Sequence, residues 1–140
     1  MSVPKSKRGE SKLAVITKAC DLATHTVKIC SNEKVFPKRY RWCITSKIVE
    51  TALDIHADTI KANSIYVVLP EDYALRKQFQ NRALSQTYSL LSLMDIAYNT
   101  FDIESGKIEY WTGLALETQS LIRKWRNSDA ERYNKKDDSC

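Results

Sequence analysis

Apolar side chains return every three or four residues along this chain, in four separate runs, as one buried helix face requires. In the first, from about Ser11 to Ser31, Leu13, Ile16, Cys20, Ala23, Val27 and Cys30 are spaced 3, 4, 3, 4, 3. That spacing predicts a helix with a heptad seam, and it places Cys20 and Cys30 on the buried stripe as small hydrophobes. The second run goes from Pro37 to about Val67, with Ile44, Ile48, Ala52, Ile55, Thr59 and Ala62 as its seam, widened by Cys43, Val49 and Leu53. The third follows Pro70 to about Thr100, on Phe79, Ala83, Leu90, Leu93 and Ala97, with Leu91, Met94 and Phe101 beside them. The fourth, from near Ser105 to near Asn127, carries Ile108, Trp111, Ala115, Thr118, Leu121, Ile122 and Trp125.

The borders between these runs have local causes. Pro37 and Pro70 suit a first helical turn, where a missing N–H costs nothing. Asp102 to Gly106 is the main mid-chain cluster of turn formers. Joints this short force neighbouring helices to run in opposite directions. The expected fold is all-α, an up-down-up-down antiparallel four-helix bundle over residues 11–127, with a flexible basic tail at 1–10 and a polar tail at 128–140.

Composition narrows the class. The 140 residues suit one domain, and 43% hydrophobic residues suffice for a continuous core. Three glycines and three prolines are too few for the hairpins of an all-β fold. Runs of about 18 apolar residues, as a membrane span needs, are absent, and the basic start precedes no signal-type apolar region; the expected place is the cytoplasm. Cys20, Cys30, Cys43 and Cys140 make no C-x-x-C pair, so neither a metal nor another cofactor is expected.

Catalytic material is also thin. Asp54 and His56 are two apart on a helix and point to different sides, and His25 has no carboxylate at useful spacing. The sequence holds no H-E-x-x-H, no di-iron Glu-x-x-His and no phosphate-cradling glycine loop. Neither histidine follows an Arg by the four to six residues of a helical HEPN-type ribonuclease. The expectation is a protein without catalytic residues.

The charges carry more information. There are 22 Lys and Arg against 17 Asp and Glu, a net +5 that suits an anionic partner. Folded up-down-up-down, the chain would gather Lys5, Lys7, Arg8, Lys12, Lys61, Arg76, Lys77, Arg82, Arg123, Lys124 and Arg126 at the pole of the termini, and Lys34, Lys38, Arg39 and Arg41 at the other, there offset by Asp102, Glu104 and Glu109. Arg123, Lys124 and Arg126 close a helix, as the macrodipole favours, but Arg39, Arg41, Arg76 and Lys77 sit in first turns, where cations are disfavoured. Such cations point to an external anion or a partner carboxylate, with a solvated charged face as the alternative. Tyr40, Trp42, Tyr66, Tyr73, Leu84, Tyr88, Leu91, Tyr98 and Tyr110 fall outside the seams, more than one bundle core can face, which favours self-association.

Several of these stretches together resemble a family. Phe36-Pro37-Lys38-Arg39-Tyr40-Arg41 and Ala62-Asn63 belong to the pattern, as do Arg76-Lys77-x-x-Gln80-x-x-Ala83 and Trp111-x-x-Leu114. Leu121-Ile122-Arg123-Lys124-Trp125-Arg126-x-Ser128-Asp129 completes it. Over residues 11–133 the chain resembles small bacterial four-helix-bundle proteins: the accessory variability determinants of diversity-generating retroelements and the proteins encoded in intervening sequences of ribosomal RNA genes. The resemblance implies a non-catalytic, homo-oligomeric, pentameric barrel with a basic surface. In the retroelement branch the implied partners are a reverse transcriptase and its template RNA, with cDNA beside it. The expected nucleic-acid contacts are Lys38, Arg39, Arg41, Arg76, Lys77, Arg82, Arg123, Lys124 and Arg126. In the ribosomal branch the same bundle would be a protein-interaction module without nucleic-acid binding.

Overall fold

The computed structural model describes residues 5–137, with side chains described for residues 12–134. It is all-helical, with α1 (Lys5–Cys30), α2 (Ser46–Ser64), α3 (Pro70–Thr100) and α4 (Ser105–Asp137), and no strand among the described residues. A 3-10 turn at Lys38–Tyr40 runs into a single π-turn at Arg41–Thr45 ahead of α2. α1 packs on α2 and α4, and α3 packs on the same two, so the four long helices enclose one core, consistent with a four-helix bundle. No helix among the described residues is long and apolar enough to cross a membrane.

The borders depart from the sequence expectation where nothing local stops a helix. α1 starts at Lys5 because Lys, Arg and Glu are good helix formers, and the lone Gly9 costs only about 1 kcal/mol. α4 continues past Asn127 to Asp137, since neither Gly nor Pro follows Trp125. α2 is shorter than expected at both ends. Pro37 opens the 3-10 turn instead of an α-helix. At the far end Ile65 turns extended (φ −86°, ψ 115°), at the start of a β-branched stretch that leads into Pro70. Asp72 then opens α3 by accepting from the backbone N–H groups of Val68 (3.1 Å) and Leu69 (2.9 Å). Those two bonds hold its carboxyl below the usual carboxylate range.

Three of the four expected seams lie inside. Ile44, Ile48, Ala52, Ile55, Thr59 and Ala62 are buried, as are Ala83, Leu90, Met94 and Ala97, and Trp111, Ala115, Thr118, Ile122 and Trp125. Leu84 joins this core as well, whereas Leu53 and Cys43, expected to widen the second seam, are exposed.

The first seam is one register off. The buried positions of α1 are Val15, Ala19, Leu22, Thr26 and Ile29, with Ala23 and Cys30 beside them, while Leu13, Cys20 and Val27 are exposed. Both stripes have helical spacing, but the true one contains a threonine that a count of apolar residues passes over. Thr26 is fully buried because its hydroxyl donates to the Leu22 carbonyl (2.7 Å) and accepts from the Trp111 indole N–H (2.9 Å).

Candidate nucleic-acid interface

Arg76 does not face solvent. Its side chain is 3% exposed, and its guanidinium meets Asp129 of α4, which is fully buried. Nε lies 2.8 Å from Oδ2, Nη2 donates to Oδ1 at 3.3 Å, and the Gln80 amide donates to Oδ2 at 2.8 Å. The Trp125 ring covers the guanidinium from 5.2 Å. Arg76, expected in a first turn, is the seventh residue of α3 and lies in its second; it finds its carboxylate within its own chain and leaves the expected phosphate-facing set. Asp129, placed in the polar tail by sequence, is its anchor, and Arg132 also approaches it (3.9 Å).

Above this buried pair runs the seam between α3 and α4. Arg126 donates to the Asn81 side chain at 3.2 Å, and Arg123 donates to the Tyr88 hydroxyl. One end of the seam is aromatic: the Tyr73 and Tyr133 rings are 5.0 Å apart, with Lys77 over the first and Arg132 over the second. Lys77, Arg123 and Arg126 are thus brought to one seam, interleaved with Tyr73, Tyr88 and Tyr133. Asp129 lies below the surface, held by Arg76 and Gln80. Lys124, although adjacent to Arg123, is about 100° round the helix and projects elsewhere.

The remaining candidates lie apart. Arg82 is on the other flank of α3, its guanidinium 5.4 Å from the Phe79 ring, which Lys61 of α2 also approaches. Beneath them Asp58 is buried and accepts from the Gln86 amide at 2.8 Å. Burial pushes its carboxyl above the usual range, and the Arg82 and Lys61 charges only partly oppose that. Lys38, Arg39 and Arg41 occupy the turn before α2, where Tyr40 packs on Phe101 past the end of α3. That is about 36 Å along the α3 axis from Lys77. The cations expected at the pole of the termini therefore split between two flanks of α3, and Lys38, Arg39 and Arg41 form a further patch at the opposite end. The side chains of Lys5, Lys7 and Arg8 and the whole of Cys140 lie outside the described residues.

Both histidines are half-buried. His25 sits edge-on to Tyr110 (4.9 Å), and burial lowers its pKa, with Lys28 adding to the effect. Among the described residues no three His, Cys, Asp or Glu side chains gather as a metal site would need, and Cys20, Cys30 and Cys43 are free thiols. No family model, curated protein or solved structure matches the chain. The resemblance to the retroelement and ribosomal bundle proteins rests on the residues quoted above.

The basic and aromatic side chains of the α3/α4 seam were each visible in the sequence, but their alignment was not. Tyr133 was missed because it was assigned to a tail. The available signal was the absence of any helix breaker between Trp125 and Asp137.

Proposed function

We propose that the chain is a non-catalytic accessory protein of a diversity-generating retroelement, binding the element's reverse transcriptase and its template RNA or cDNA across a basic oligomeric surface. The α3/α4 seam carries this reading. Lys77, Arg123 and Arg126 supply sequence-independent phosphate contacts, and Tyr73, Tyr88 and Tyr133 supply faces on which bases stack. The helices run up-down-up-down in this reading. Its support is the pairing of Thr26 with Trp111 and Lys18 with Glu117, and of Arg76 with Asp129 and Tyr88 with Arg123. In each set residue numbers fall on one helix as they rise on the other.

Self-association, as a pentameric barrel by the resemblance, is supported by the apolar flank of α1 and α2. Leu13, Cys20 and Val27 recur at seven-residue intervals on α1, and Leu53 and Ile60 do so on α2, all exposed in the single chain. Soluble monomers keep such stripes short. Repeating the seam round a ring multiplies a modest charge into a surface that holds polyphosphate.

The test is RNA binding by the Lys77→Gln, Arg123→Gln, Arg126→Gln triple variant at several salt concentrations. Each lost phosphate contact lowers the salt slope by about 0.7 on a single strand, the form whose bases can stack, so a drop of about 2.1 is expected. An unchanged affinity and slope would remove the assignment. The same apolar flank favours a second reading, a ribosomal intervening-sequence-type protein-interaction module whose charges serve solubility. A reverse-transcriptase gene beside a template and variable repeat pair would separate the two.

A further inference from the structure

The geometry points to a docking site for an unpaired nucleotide of RNA at the turn before α2. Its base stacks on Trp42, and its flanking phosphates are held by Lys38 and Arg41. The inference rests on the nucleic-acid reading above and names the form of nucleic acid this second patch takes.

Of the three tryptophans, Trp111 and Trp125 are 0% and 2% exposed, whereas Trp42 is 81% exposed. The backbone puts it there. The Ser46 N–H donates to the Arg41 carbonyl, five residues back, so this turn is wider than an α-turn, and such turns are frequent at functional sites. Ile44 and Thr45 face the core from the same turn, leaving the indole outside. Beside it opens a cleft of about 450 Å³ walled by Phe36, Pro37, Thr45 and Val49, within the size range of small-ligand sites.

The charges round the cleft are of both signs and can be sorted by what they fit. Lys38 and Arg41 line it, whereas Arg39, its guanidinium 4.9 Å from the Tyr40 ring, lines a separate hollow with Lys34, Phe101 and Asp102. Glu33 and Glu50 also line it. Carboxylates repel phosphate but accept from the exocyclic amino group of a base such as cytosine. Phosphates therefore belong on the Lys38 and Arg41 side, with the base between the indole and the carboxylates. A base can reach this arrangement only when it is unstacked. Extruding one from a duplex costs a few kcal/mol, so single strands and loops are preferred.

Trp42 is its own probe, since the other two indoles are shielded. Intrinsic fluorescence is titrated with a short oligocytidylate and, separately, with a short RNA duplex. The single strand is expected to quench the emission and the duplex to leave it nearly unchanged. Trp42→Ala, whose fold is checked by circular dichroism, should weaken single-strand binding about five- to a hundredfold while duplex affinity stays within about twofold. The Lys38→Gln, Arg41→Gln double variant should weaken it as well and flatten its salt dependence. Equal quenching by the duplex overturns the site, as does an unaltered single-strand affinity in Trp42→Ala. A Trp42→Ala change confined to the assembled mass, with RNA affinity unaltered, would make the cleft a subunit contact and overturn it too. RNA binding that answers to the α3/α4 variants but not to Trp42 sinks this site alone. Absence of any RNA binding sinks the functional reading with it.

Discussion

Asp129→Ala removes the carboxylate paired with the Arg76 guanidinium while leaving the cation where burial holds it. Before the change, Asp129 accepts from Arg76 and from Gln80 with both charged side chains at 3% exposure or less. Breaking such a pair from one side costs about 3–5 kcal/mol, because the remaining ion stays desolvated without compensation. Taking about 4 kcal/mol, and an unfolding entropy of about 0.3 kcal/mol/K for a chain of this length, the melting temperature should fall by about 14 °C. That is a large share of the 5–15 kcal/mol that holds a typical domain together. Replacing the cluster together, as Arg76→Met, Gln80→Leu, Asp129→Leu, should recover most of the loss, since a buried ion pair is often no better than well-packed apolar groups. The assay is thermal unfolding by circular dichroism at one fixed protein concentration, because self-association would make the midpoint concentration-dependent. A loss below about 1 kcal/mol in Asp129→Ala, the range of an exposed ion pair, would show that Arg76 is hydrated. It would then return to the phosphate-facing set.

Two further substitutions test the packing at other seams. Asp58→Asn should raise stability at neutral pH: burial raises the folded carboxyl above its usual range, so ionisation there opposes folding, and the amide can still accept from Gln86. The advantage should shrink as pH falls through the raised folded pKa and vanish below the ordinary value of 3.8; urea melts across that range would show it, and a constant difference would refute it. Thr26→Val should cost about 1–3 kcal/mol by stranding the buried Trp111 N–H, while Thr26→Ser keeps the acceptor and much of the stability. A loss in Thr26→Ser with none in Thr26→Val would mean that the methyl group, not the hydrogen bond, matters there.

Much of the fold was legible because helix signals are local. Pro70 and the Asp102–Gly106 cluster bound the third helix, and they do so in the structure. The seams of α2, α3 and α4 follow from spacing alone, since each has one clearly apolar stripe. α1 has two stripes of the same period, and the choice between them depends on Trp111, 85 residues away, which needs the Thr26 hydroxyl as its acceptor. The candidate site was legible only as a set of residue types. Lys77, Arg123 and Arg126 could be named, but the seam that aligns them with tyrosines is made by two helices meeting.

By itself the sequence determined an all-helical chain, four long helices and the buried faces of three. Periodicity, proline and turn formers act within a few residues of themselves. Only the tertiary structure decided which cations are available. Arg76 looked as unexplained as Arg39, Arg41 and Lys77, yet it is buried against a carboxylate 53 residues away. Whether a charge faces water or a partner is set by desolvation, and desolvation depends on what packs against the side chain rather than on its neighbours in the chain. The same reason divides the net +5 into separate patches and leaves Trp42 outside a core that takes in Trp111 and Trp125.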